Sequence, residues 1–158
     1  MLLGKKRRLG RHIEEIKVGE KLERTEKIED KDILLYLGLS DDGNPLFIQH
    51  DYASQTPFKK PIVPQVMLTG IITSAVSKYL PGPGSAVMKQ TLEFVKPVYH
   101  YATFTALFEV TDVDHESHLI TISVVAKDED GDEVIKGELK VCPPHPKKPL
   151  TGATLDNF

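Results

Sequence analysis

The stretch "QVMLTGIITSAVSKYL", Gln65–Leu80, decides the fold. Leu68, Ile71, Ile72, Ala75, Val76, Tyr79 and Leu80 recur at helical spacing, so the pattern predicts a helix over 65–80. Its other side carries Thr69, Thr73 and Ser77, and the first charge comes only at Lys78. A helix lying on a protein surface carries charges on its outer side. This one is therefore expected to be enclosed by protein, and something must wrap it. "PGPG", Pro81–Gly84, ends it.

The C-terminal part of the chain supplies the wrapping. Four strand-like runs cover Ser85–Val95, Ala102–Val113, His118–Lys127 and Glu133–Val141. Ile120, Ile122, Val124 and Ala126 alternate, as do Ile135, Leu139 and Val141 around Gly137. "DHES" and "DEDGD" read as hairpin turns. The expected fold class is α+β, a curved antiparallel sheet around one long helix. Upstream, "EKLERTEKI" (Glu20–Ile28) reads as a weak, exposed strand. Asp30 is a candidate N-cap for a helix with Ile33, Leu34, Leu37 and Tyr36 on its apolar side, stopped by Gly43, Asn44 and Pro45. "HDYASQT" can form a short helical turn before the extended, proline-rich "PFKKPIVP".

The chain has 158 residues, enough for one domain with a sizeable core. Its formal charge of −3 gives no general attraction to nucleic acid or an anionic membrane. The basic run "KKRR" (Lys5–Arg8) reads as part of a solvated arm over residues 1–11. No apolar run reaches membrane-spanning length, and a single Cys142 allows neither an internal disulfide nor a multi-cysteine metal site. The expectation is a cytoplasmic protein without metal or cofactor: one domain over 12–142, then an aperiodic, flexible tail over 143–158.

Among possible chemical groups, His12, His115, His118 and His145 fall in an arm, a turn region and a tail, and receive no role. His100 lies between strands and reads as structural. Asp128, Asp130 and Asp132 have calcium-like spacing but lack the other ligands of such a loop, so a solvated turn is expected. Lys59, Lys60 and Lys89 read as solvated lysines. P-loop, GxGxxG, HExxH and GxSxG motifs are absent. There remains "SDDGNPLF", Ser40–Phe47, whose composition by itself indicates only a polar turn.

The order of parts changes that reading. "SDDGNPLF", Tyr52-Ala53, Phe58–Val63, "LPGPGS" (Leu80–Ser85) and "LEFVKPV" together resemble the MaoC-like (R)-specific enoyl-CoA hydratase and 3-hydroxyacyl dehydratase family of hotdog-fold proteins. The likeness runs over roughly residues 12–142. It implies water addition to, or removal from, an acyl thioester of coenzyme A or acyl carrier protein, by an Asp and a His working as an acid/base pair. It further implies a backbone N–H at the helix entry that binds the thioester oxygen, a place in fatty-acid metabolism, and a homodimer or larger homo-oligomer.

Carried onto this chain, Asp42 matches the family's Asp, and Asn44 matches the amide that shapes the loop. The His position is occupied by Phe47, and Asp41 replaces a glycine. "PQVML" replaces "HGML" at the helix entry, leaving Gln65 or Val66 to offer the N–H. His50 is a candidate substitute for the missing His if it shares a helical face with Phe47. Three functions stay open: a hydratase or dehydratase, a silent thioester-binding or subunit-supporting hotdog protein, and an acyl thioesterase.

Overall fold

A computed structural model describes residues 8–148. Apart from Arg8, the basic run lies outside these residues, as does the tail beyond Lys148. A short 3-10 turn at Ile13–Glu15 precedes β1 (Lys21–Lys27), α1 (Asp30–Ser40), α2 (Pro45–Ile48), α3 (His50–Ser54), α4 (Gln65–Lys78), β2 (Ala86–Phe94), β3 (Thr103–Asp114), β4 (Leu119–Lys127) and β5 (Glu133–Cys142). The strands form one antiparallel sheet in the order β1-β3-β4-β5-β2.

Period-two alternation places one row of each central strand inward. Phe104, Ala106, Phe108 and Val110 on β3, and Ile120, Ile122, Val124 and Ala126 on β4, are all buried. They join Leu68, Ile72, Ala75 and Val76 of α4 in a single core. This is the curved sheet on a long helix expected of the hotdog fold. Gly137 has a packing reason on β5: a Cβ there would lie 2.0 Å from the Thr91 carbonyl oxygen on β2. Only a residue without a side chain lets these two strands approach so closely.

Four expectations need correction. Within this chain α4 is wrapped on one side only: Val66 is 65% exposed, and Gly70 and Ser77 are also exposed. One five-stranded sheet covers one face of a helix, and the uncharged Gly/Ser face stays open. The N-cap of α1 is Glu29, not Asp30; the Glu29 N–H donates to Asp32 Oδ2 at 3.1 Å, and Asp30 is the first helical residue. Of that helix's apolar residues only Ile33 is fully buried; Leu37 packs partly against the core, and Leu34 and Leu35 are exposed. Residues of both the expected arm (1–11) and the expected tail (143–158) make contacts with the core. Gly10 and Arg11 donate backbone hydrogen bonds to the carbonyls of Pro83 and Pro81. At the other end Pro143 and Pro144 are buried, and His12 Nδ1 lies 3.0 Å from the Pro144 carbonyl oxygen. Proline cannot extend the ladder, but its ring can still fill an apolar seat.

Past this docked start, Pro146, Lys147 and Lys148 are exposed. Deleting residues 146–158 is therefore expected to leave the melting temperature unchanged within error. A clear drop in a thermal scan would show that the end of the chain docks on the core.

The acidic hairpin between β4 and β5 has its own cation. Lys96 Nζ lies 3.1 Å from Asp128 Oδ2 and 2.7 Å from Asp132 Oδ2. Asp128 Oδ1 accepts the N–H groups of Asp130 and Asp132. Burial pushes the Asp128 carboxyl up, but Lys96 and these N–H groups outweigh it and hold it below the usual carboxylate range.

Candidate functional site

The SDDGNP stretch is built by the end of one helix and the start of another. At the C-terminus of α1, Ser40 Oγ donates to the Tyr36 carbonyl at 2.7 Å, and the Asp41 N–H donates to the Leu37 carbonyl at 2.9 Å. Asp41 adopts φ 54°, the left-handed conformation that closes many helices. That is why glycine suits this position, and aspartate is among the residues that tolerate it. Asp42 comes next, half-buried, with its N–H on Ser40 Oγ at 3.3 Å. Its Oδ2 lies 3.5 Å from Tyr36 Oη, a distance at the weak limit of a hydrogen bond.

Asn44 caps α2: its Oδ1 accepts the Leu46 N–H at 3.0 Å, and Pro45 stands at the first helical position. The amide thus fixes the start of α2. The turn is then tied to the approach of α4, since the Ile62 N–H donates to the Leu46 carbonyl at 3.0 Å and the Val63 N–H to the Val98 carbonyl at 2.7 Å. Tyr99 Oη donates to the Phe58 carbonyl at 2.9 Å and holds the same segment from the other side. Pro64, at the N-cap of α4, is buried. Gln65 and Val66 begin the helix, where backbone N–H groups have no acceptor within the helix and the dipole is positive.

Phe47 and His50 part company. Phe47 is only 6% exposed, whereas His50 is exposed. The cause is Gln49, whose φ −109° and ψ 107° interrupt the helix after Ile48. The two residues therefore lie on separate helical turns, and His50 does not take Phe47's position. It lines a cleft of about 490 Å³ with Lys60, Tyr99, His100 and Asp30. Asp42 lines neither this cleft nor the one of about 220 Å³ that Gln65 shares with Phe58, Phe94 and Lys96.

A third cleft, of about 390 Å³, runs along α4 and involves residues to which the sequence reading assigned no function. Met67, Ile71 and Ala75 give it apolar walls, and Arg24, Lys27 and Lys78 give it cations. Arg24 is fixed there, with its guanidinium 4.1 Å over the Tyr79 ring and Nη2 donating to Tyr79 Oη at 3.1 Å. Met67, Ile71 and Lys78 lie at steps of four and seven along the helix, a spacing that marks a shared face. Arg24 comes from β1, whose register against β3 no local pattern reveals.

Comparison with known proteins agrees with this architecture. The MaoC-like domain model matches residues 13–133. An (R)-specific enoyl-CoA hydratase from Rhodospirillum rubrum is 35% identical over 133 residues, covering 84% of this chain and 92% of the relative. Among solved structures, the unliganded R-hydratase PhaJ1 from Pseudomonas aeruginosa superposes with a TM-score of 0.79 at 27% identity, over 90% of this chain and 96% of that one. The (R)-hydratase from Aeromonas caviae gives 0.78 at 28% identity, over 82% and 98%. With a helix-wrapping sheet, a capped Asp-Gly-Asn-Pro turn and these matches along most of its length, the chain belongs to the MaoC-like domain family.

Proposed function

We propose that this protein is a hydratase or dehydratase of enoyl and 3-hydroxyacyl thioesters in fatty-acid metabolism, with coenzyme A or acyl carrier protein as the carrier. The observation that carries this reading is the 35% identity to an (R)-specific enoyl-CoA hydratase over nearly the whole length of both chains. Asp42 is its acid/base group. The carboxylate holds the water, takes its proton as oxygen attacks the double bond, and returns a proton to the adjacent carbon. A backbone N–H at Gln65 or Val66 meets the thioester oxygen, where the helix end favours developing negative charge. The cleft along α4 suits an acyl chain; Arg24, Lys27 and Lys78 line it beside Glu26 and Asp32, and Asp42, Gln65 and Val66 lie outside its lining.

One observation favours a second reading. Phe47 stands where the resemblance implies a histidine, and it is buried. A phenyl ring exchanges no proton, so a protein that binds thioesters, or supports another subunit, without turnover is the alternative. A panel of enoyl and 3-hydroxyacyl thioesters, on both carriers, tests the two. Turnover that falls in Asp42→Asn supports the enzyme. Binding of a saturated acyl thioester without turnover supports the alternative.

The working unit of this reading is a homodimer or larger assembly in the cytoplasm. β2 pairs only with β5 and leaves an edge, along which Met88 is 65% and Val95 48% exposed. The open face of α4 adds Val66 to the uncovered apolar residues. Sedimentation velocity at micromolar concentration is expected to give a dimer or larger species. A monomer would remove the assembly and weaken the site built with it.

A further inference from the structure

We propose that His118, Cys142 and His145 form a binding site for one borderline-soft divalent cation, of which Zn²⁺ is the type. One ligand atom from each residue lies within 4.8 Å of the others. Cys142 Sγ and His145 Nε2 are 3.7 Å apart. Zinc with Zn–S of about 2.3 Å and Zn–N of about 2.0 Å in tetrahedral geometry needs these atoms roughly 3.6 Å apart. The pair is thus close enough to share an ion once the His145 ring turns toward it. Three protein ligands leave a fourth position for water.

Two of the ligands are held by the sheet. β4 and β5 pair Ile120 with Val141, which sets His118, just before β4, beside the end of β5 at Cys142. His118 Nε2 lies 3.1 Å from the Pro143 carbonyl oxygen. Cys142 Sγ lies 3.6 Å from the same oxygen, so this carbonyl holds the two side chains side by side, and a metal taken through Nε2 would displace its contact with His118. His145 is exposed and lies beyond the strand, and its ring stacks on His118 at 4.0 Å between centroids and 12° between planes. Imidazole lone pairs lie in the ring plane, so two parallel rings cannot address one ion. Binding requires one ring to tilt out of the stack, and His145, beyond the last ladder bond, is placed to do so.

The site is separate from the thioester site. β2 pairs Phe94 with Ile135 and Ala86 with Cys142. Phe94 shares a cleft with Gln65 at the entry of α4. Seven residues of β5 separate the two pairs, about 23 Å at the strand rise. A bound ion would tie the segment after β5 to the head of β4, without touching the groups assigned to thioester chemistry.

The test uses the whole protein, kept reduced with a non-chelating phosphine. Zn²⁺ is titrated in competition with a chromophoric chelator, and Co²⁺ serves as a spectroscopic probe. The expected result is one equivalent of Zn²⁺ per chain and a thiolate-to-cobalt charge-transfer band. Both should be lost in His145→Ala, whose exposed position makes misfolding a poor explanation, and in Cys142→Ser. Uptake should be unchanged in His115→Ala, outside the cluster. Absence of uptake by the wild type, uptake without the thiolate band, or uptake that survives His145→Ala and Cys142→Ser would each overturn the site.

Discussion

Ile72→Asp is expected to leave little or no folded protein. Ile72 is 0% exposed and sits on the side of α4 that the sheet covers. A carboxylate there has no cation, and a protonated carboxyl has no hydrogen-bond partner among the apolar groups of that core. Either form costs several kcal/mol. The lost isoleucine contributes about 1.5–3 kcal/mol of apolar burial besides. Against a typical total stability of roughly 5–15 kcal/mol, the sum removes most or all of the margin. Urea denaturation monitored by circular dichroism checks this. Soluble, cooperatively unfolding mutant protein would mean that this face of α4 is not the centre of the fold.

The second large effect is a gain. A positioned general acid or base contributes about 10²–10⁴-fold to a rate. Under the proposed function, with Phe47 in the place of a histidine, Asp42 alone would both orient the water and move its protons. Hydration of short enoyl thioesters by the wild type is therefore expected to be slow or absent, and Phe47→His is expected to raise it by a factor within that range. The substitution has a cost in stability, because Phe47 is buried and an imidazole is more polar. A modest fall in melting temperature beside a rise in rate is thus the combined expectation. His50 offers no relief, since the break at Gln49 keeps it exposed while Phe47 is buried.

The sequence carried unequal information about these parts. The alternation of Ile120, Ile122, Val124 and Ala126 and the uncharged second face of the α4 segment were enough to indicate a sheet on a helix, because burial writes its period into each element. The one-sided wrapping was not legible: an uncharged face left open and one covered by the same chain have the same composition. In α2 the Asn44 cap and Pro45 form a helix-start signal, yet the helix has four residues, too few for any periodicity, so the segment read as a turn. Glu29 rather than Asp30 caps α1 because Asp32 returns a hydrogen bond to it, a pairing that competes with other nearby acids. The Arg24–Tyr79 contact and the His118–Cys142–His145 cluster join residues far apart in the chain. The placement of the end of α4 beside β1 makes the first, and the β4–β5 register brings His118 to Cys142; both are properties of the assembled fold.

On the proposed reading, SDDGNPLF is a hydratase site with one of its two side chains replaced. The most direct measurement is the initial rate of hydration of a short trans-2-enoyl thioester by the wild type, by Phe47→His and by Phe47→His carrying Asp42→Asn. The account predicts a slow or undetectable wild type, a faster Phe47→His protein, and a return to the wild-type level or below when Asp42 is removed. Brisk wild-type turnover that survives Asp42→Asn would contradict it and place the chemistry elsewhere on the molecule.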